Sequence, residues 1–107
     1  MKTFEEYQRA ATRTPLSLRN NRDRIDLPVL GLQEEAGKVG SLLTSAFESG
    51  KLALTQEQTS ELQDRLSDML WYVALLCGET GIAMQDVAAH SLAQLQARAK
   101  ALDPDQR

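Results

Sequence analysis

Glu34, Glu35 and Lys38 crowd a single turn of sequence, and on a helix, where each residue advances about 100°, they fall within about one quadrant. Glu61, Asp64, Arg65 and Asp68 share a second stripe by the same arithmetic, with Tyr72 one turn beyond Asp68. Carboxylates gathered from two facing helices are how helical bundles hold hard divalent cations, because Mg²⁺ takes oxygen ligands in near-octahedral geometry. The same stripes also describe the solvated faces of two amphipathic helices. The two cations among the acids carry a further reading, since Glu34 to Lys38 and Glu61 to Arg65 are both four residues apart in the favourable order for ion pairing.

Four helices must position these stripes. Thr3 and Glu6 have capping-box spacing and Phe4, Tyr7 and Ala11 follow at helical intervals, which predicts a first helix from Thr3 that ends at Pro15. Residues 14–25 are rich in Arg, Asn and Ser without an apolar period and read as a basic loop carrying Arg19, Arg22 and Arg24. Asp26 followed by Pro28 predicts the start of a second helix, with Leu32, Ala36, Val39, Leu43 and Phe47 on its apolar face and Gly50 as its stop. Thr55 and Gln58 form a second capping-box pair, after which Leu62, Leu66, Met69, Val73 and Leu76 recur at spacings of four, three, four and three until the helix ends near Gly78. Met84, Val87, Ala88, Leu92, Leu95 and Leu102 define the fourth helix, which frays into a tail at residues 103–107. The expected architecture is a single-domain all-α bundle over residues 1–107 with short connections.

Composition narrows the function. At 107 residues with 42% apolar and 25% charged content, the chain is an ordinary folded domain, small enough that self-association is expected to contribute to its stability. The longest nearly continuous apolar run, Met69 to Cys77, is nine residues, against the roughly 20 a membrane-spanning helix needs. The amino terminus has no apolar leader and Cys77 is the only cysteine, which predicts a cytoplasmic location. Residues 1–24 hold six Lys/Arg against three acids, and residues 25–107 hold six against twelve. That acidic remainder argues against a nucleic-acid polymer as partner and leaves small phosphorylated ligands compatible.

Two segments carry a resemblance. Leu30-Gly31-Leu32-Gln33-Glu34-Glu35-Ala36-Gly37-Lys38-Val39 resembles the Glu-Glu-x-x-Glu helix of MazG-like nucleotide pyrophosphohydrolases, and Asp68-Met69-Leu70-Trp71-Tyr72 resembles their Asp-x-Leu-Trp-Tyr segment. The likeness extends to Phe4-Glu5-Glu6-Tyr7-Gln8 and to the stretch from Gly81 to Ala88. It implies a four-helix fold completed as a homodimer or homotetramer. It also implies a pocket for a nucleoside triphosphate or other small nucleotide, and Mg²⁺-dependent cleavage to monophosphate and pyrophosphate. By that likeness Glu35 and Asp68 stand at metal-ligand positions and Glu34 at the position that helps the attacking water.

The departures fall on the same motifs. Lys38 and Arg65 occupy two of the four usual ligand positions, so the formal charge over those four changes by about +4, from about −4 to about 0. Ser91 and Gln94 stand where the resemblance leads one to expect Asn and Lys. The motif is degenerate, and a nucleotide-binding or regulatory oligomer with weak or lost hydrolysis is the first expectation. In that reading Lys38 and Arg65 take the place of the metal, pairing with Glu34 or Glu35 and with Asp68 or Glu61, while a spare guanidinium holds phosphate. The alternatives are an active Mg²⁺ enzyme built on Glu34, Glu35, Asp64 and Asp68, and a structural helical adaptor. Candidate nucleotide contacts are Trp71, Tyr72, Ser91, Gln94, Arg19 and Arg22, the two arginines as a lid. Each has a plainer reading as core, surface or solvated loop. His90 and Cys77 have no partners at ligand or base spacing, and Ser17, Ser67 and Ser91 no Ser-His-acid arrangement.

Overall fold

The structure, a computed structural model, describes residues 3–14, 18–48, 50 and 53–102. Its regular structure is four helices, α1 (Phe4–Arg13), α2 (Asp23–Ala46), α3 (Gln56–Thr80) and α4 (Met84–Leu102), with no strand among the described residues. Pro15, Ser17 and the tail at residues 103–107 lie outside the described residues.

Local chemistry accounts for most of the helix ends. Thr3 caps α1, its hydroxyl accepting from the Glu6 amide at 3.1 Å. At α3 the Thr55 hydroxyl accepts from the Gln58 amide at 3.1 Å and the Gln58 side chain accepts from the Thr55 amide at 2.8 Å, a complete capping box. The end of α3 lies slightly beyond the expected Gly78. The chain turns at Gly81, whose φ of 73° is left-handed, and the Ile82 amide reaches back to the Cys77 carbonyl at 2.9 Å. That is a Schellman closure, which favours a residue without a Cβ at the turn.

The start of α2 differs from the expectation. The helix begins at Asp23, one turn before Asp26 and Pro28, and so takes in the end of the segment read as loop. The cause is a side-chain exchange: the Asn20 carbonyl oxygen accepts from the Asp23 amide at 3.1 Å, and the Asp23 carboxylate accepts from the Arg19 amide at 2.8 Å. The first amide of α2 and an amide of the segment leading into it are thereby satisfied by short polar side chains, and Asp23 is buried at 5% exposure. Pro28 then sits inside the helix, fully buried. The other end is also earlier, at Ala46, with Gly50 serving the turn that follows.

α2 and α3 form an antiparallel hairpin, because residues rising along α2 meet residues falling along α3: Arg24 reaches Glu79, Gly31 meets Tyr72 and Glu35 meets Arg65. α1 lies along α3, and α4 packs on α1. The buried core is small, formed by Ala11, Ala74, Cys77 and Met84 with Tyr7, Trp71 and Val73 packed against it. Gln8 ties α1 to the last connection, its amide donating to the Ile82 carbonyl at 3.0 Å and accepting from the Met84 amide at 2.8 Å. The first turn of α4 is thus capped by a side chain from another helix.

Much of the apolar patterning remains on the surface. Leu66 and Leu70 of α3, Val29 and Leu30 of α2, and Val87, Leu92, Leu95 and Leu102 of α4 are all exposed. The radius of gyration is 17.3 Å, against about 13 Å for a compact domain of this length. No helix among the described residues is long and apolar enough to cross a membrane.

Candidate functional site

The second and third helices bring their charged stripes together on one side of the hairpin. Glu35 is the inward carboxylate, 6% exposed, while Glu34 on the preceding residue points outward and is exposed. Arg65 Nη1 crosses from α3 to Glu35 Oε2 at 3.5 Å, and Lys38 Nζ approaches Glu35 Oε1 at 3.9 Å. Lys38 also pairs with Glu34 at 3.1 Å, and Arg65 with Glu61 at 3.8 Å. The buried carboxylate is therefore held between an ammonium and a guanidinium, each of which is held by a second, more exposed carboxylate.

The within-helix pairs are those the i,i+4 spacing suggested. Of the two α3 acids expected beside Arg65, Glu61 is its partner and Asp68 is not, and Arg65 in addition crosses the hairpin to Glu35. Summed over Glu34, Glu35 and Glu61 against Lys38 and Arg65, the cluster carries three negative and two positive charges, a net of −1. Arg65 Nε is buried and has no hydrogen-bond partner among the described residues. Such an atom costs free energy unless an acceptor meets it.

Tyr72 forms the floor beside this cluster. Its ring lies so close over Gly31 that a Cβ there would stand 2.5 Å from the ring. Only glycine, one turn before Glu35, lets the ring settle on α2. Burial and the neighbouring Asp68 carboxylate raise the Tyr72 pKa above its ordinary value of 10.0, with Glu35 and Glu34 adding to the effect and Lys38 opposing it. Trp71 stacks on Tyr72 with ring centroids 5.4 Å apart. Its indole N–H donates to the Ala11 carbonyl at 3.2 Å, which makes it a tie between α3 and α1.

The remaining sequence candidates are more dispersed. Asp68 is half-buried on the α1 side of α3 and makes no ion pair or hydrogen bond with the described residues. Asp64 is exposed one turn earlier and shares with Asp68, Glu61 and Glu57 an open concavity along α3 of about 630 Å³. Arg19 and Arg22 are held by Asp23 and Asp26 at 3.6 and 3.1 Å, and Arg24 by Glu79 at 3.5 Å. Glu79 and Arg65 are fourteen residues apart on α3, about 21 Å along the axis, so these arginines sit at the far end of the hairpin from Glu35. Ser91 and Gln94 are exposed on α4, which packs on α1. Gln8 and Gly31 fall within the resembling segments but had no role assigned from the sequence, and only the close approach of Tyr72 reveals why the latter is glycine.

The donor set as it stands does not fit Mg²⁺. Among the described residues no three His, Cys, Asp or Glu side chains converge to hold a metal ion, and the buried Glu35 carboxylate is already flanked by two fixed cations. A divalent ion at Glu35 would have to displace a guanidinium and tolerate two positive charges within a few ångströms, a repulsive arrangement in a partly buried site.

No protein-family model matches the chain, and no solved structure does. The chain is similar to the Gene 37 protein of Mycobacterium phage L5, with 32% identity over 69 residues, a stretch covering 64% of this chain and 60% of that protein. The match therefore spans less than two thirds of the phage protein's length.

Proposed function

We propose that this protein is a MazG-like helical oligomer in which Lys38 and Arg65 replace the divalent metal, so that the α2–α3 site binds a nucleotide and no longer hydrolyses it efficiently. The observation that carries this reading is the closure of Glu35 by Arg65 at 3.5 Å and Lys38 at 3.9 Å. The cations neutralise a carboxylate pair that would otherwise repel across the hairpin. The unpartnered Nε of Arg65 supplies a donor for a phosphate oxygen once the side chain turns outward. The protein works in the cytoplasm, on a small nucleotide in place of a nucleic-acid polymer.

The oligomer is part of the same proposal. The chain exposes 8174 Å², roughly 2,000 Å² more than a compact monomer of its mass. A stable interface takes about 800 Å² from each partner. Leu66 and Leu70 lie on the side of α3 about 160° from Asp68, so a second copy docked there leaves the charged side open. Sedimentation at two protein concentrations measures this, and a monomer throughout would remove oligomerisation from the proposal.

A thermal-shift titration with a panel of nucleoside triphosphates, with and without Mg²⁺, tests the binding function. Stabilisation by a nucleotide without metal and without pyrophosphate release is the expected result. Metal-dependent stabilisation with pyrophosphate release would establish an enzyme instead, for which Asp64 and Asp68 in one concavity are the residues to examine. No response to any nucleotide leaves a structural adaptor.

A further inference from the structure

On the side of α3 away from Leu66 and Leu70, α1 and α3 enclose an open cleft of about 350 Å³, whose walls include Tyr7, Ala10, Ala11, Ser67, Asp68 and Trp71. Its chemistry is one-sided. No Lys, Arg or His is among its described lining residues. The cations nearest its lining in sequence are Arg9 and Arg13 on α1 and Arg65 on α3; Arg9 is held by Glu5, and Arg65 by Glu35 and Glu61. The indole N–H of Trp71 is spent on the Ala11 carbonyl, so the tryptophan offers the cleft its ring and no donor.

Among the described lining residues Asp68 is the only charged one, half-buried and without an ion-pair or hydrogen-bond partner among the described residues. An ionised carboxylate is an acceptor only, and a partly buried one gains most from a donor that is itself charged. Two aromatic rings beside it add the attraction of a π face for a cation. A hydrated inorganic ion could use the carboxylate and would gain little from the rings. A planar guanidinium uses both, stacking on an aromatic face while presenting a two-pronged donor to the carboxylate. An anion would meet like charge and no donor beyond hydroxyls.

We propose that the α1–α3 cleft is a binding site for a small guanidinium-bearing organic cation, held by the Asp68 carboxylate against the Trp71 and Tyr7 rings. The cleft shares Asp68 with the α3 concavity that also holds Glu61 and Arg65, but it opens toward α1 and does not depend on the Glu35–Arg65 cluster binding a nucleotide. Burial and the Asp68 charge raise the Tyr7 pKa above its ordinary value, so Tyr7 stays a neutral ring under physiological conditions, consistent with a π wall.

Trp71 is the single tryptophan of the chain, so its fluorescence reports the cleft directly. Methylguanidinium chloride at millimolar concentrations, below those that unfold proteins, is titrated against sodium chloride and magnesium chloride at equal ionic strength. The expected result is a saturable change with methylguanidinium alone, weakened about tenfold or more by Asp68→Asn, the loss that follows from removing one charge-assisted contact. Ala10→Leu, which keeps the carboxylate and fills the cleft from the exposed α1 side, should weaken binding to a similar degree. It serves as the second test if Asp68→Asn folds poorly. An equal response to sodium, an Asp68→Asn protein that binds as the parent does, or a stronger response to magnesium would each overturn the proposal.

Discussion

Replacing Arg65 by methionine removes the only cation that crosses from α3 to the buried Glu35 carboxylate. The consequence can be worked from the geometry. At 3.5 Å and an effective dielectric of about 20, two unit charges attract by about 5 kcal/mol, a gross figure from which desolvation must be subtracted. Truncating one partner of a fully buried pair costs about 3–5 kcal/mol. The Arg65 side chain is 29% exposed and Lys38 stays 3.9 Å from Glu35. Arg65→Met should therefore cost about 2–3 kcal/mol. For a domain of this size that lowers the melting temperature by about 10–20 °C. Glu35→Leu/Arg65→Met, which removes both charges and keeps apolar bulk, should cost only about 0–1 kcal/mol. Urea unfolding of the parent, both single variants and the double variant at one fixed protein concentration gives the coupling directly. Strictly additive single costs, with a coupling below about 0.5 kcal/mol, would refute the claim that these groups hold each other in place.

Three further outcomes follow from other contacts. Gly31→Ala should destabilise by about 1–3 kcal/mol, because its methyl would collide with the Tyr72 ring, and Tyr72→Leu should relieve much of that cost in a double variant. Gln8→Leu should cost about 0.5–2 kcal/mol by analogy with the loss of a helix cap, with faster hydrogen exchange at the Met84 amide as its local signature. Tyr7 and Tyr72 are the only tyrosines, and both have pKa values raised above 10.0 by burial and by Asp68. Their phenolate absorbance should therefore appear above pH 10, and earlier in Asp68→Asn. The sign for stability follows: above pH 10 the unfolded chain loses those protons first, so stability falls as pH rises, and the raised values have no effect well below 10. Unmoved phenolate midpoints in Asp68→Asn would separate Asp68 from the tyrosines.

The parts of the fold that were legible in the sequence are those set by neighbours in the chain. The Thr3 and Thr55 caps and the turn at Gly81 all rest on contacts within a few residues, whereas the start of α4 at Met84, placed by apolar periodicity, also takes a cap from Gln8 on α1. The start of α2 was also local, but its signal was Asn20 and Asp23 exchanging bonds with backbone amides, and in a segment so rich in polar residues that pair looks like ordinary loop composition. The ion pairs of Lys38 with Glu34 and of Arg65 with Glu61 follow from i,i+4 spacing. The pair between Glu35 and Arg65 depends on the register of two helices, which periodicity does not determine. Periodicity likewise marked the leucines of α4 as an apolar face without saying that the chain would leave them exposed. The bonding role of Gln8 carried no local signal, because its partners are more than seventy residues away.

Metal affinity is the most direct test of whether two fixed cations have replaced a divalent ion. Isothermal titration of Mg²⁺ into the parent protein and into Lys38→Glu/Arg65→Glu, with the fold of each checked by circular dichroism, measures it. The account predicts no binding at low millimolar Mg²⁺ for the parent and measurable binding for the double variant, in which two positive charges at the site become negative. Saturable Mg²⁺ binding by the parent, undiminished relative to the variant and accompanied by pyrophosphate release from a nucleoside triphosphate, would contradict it.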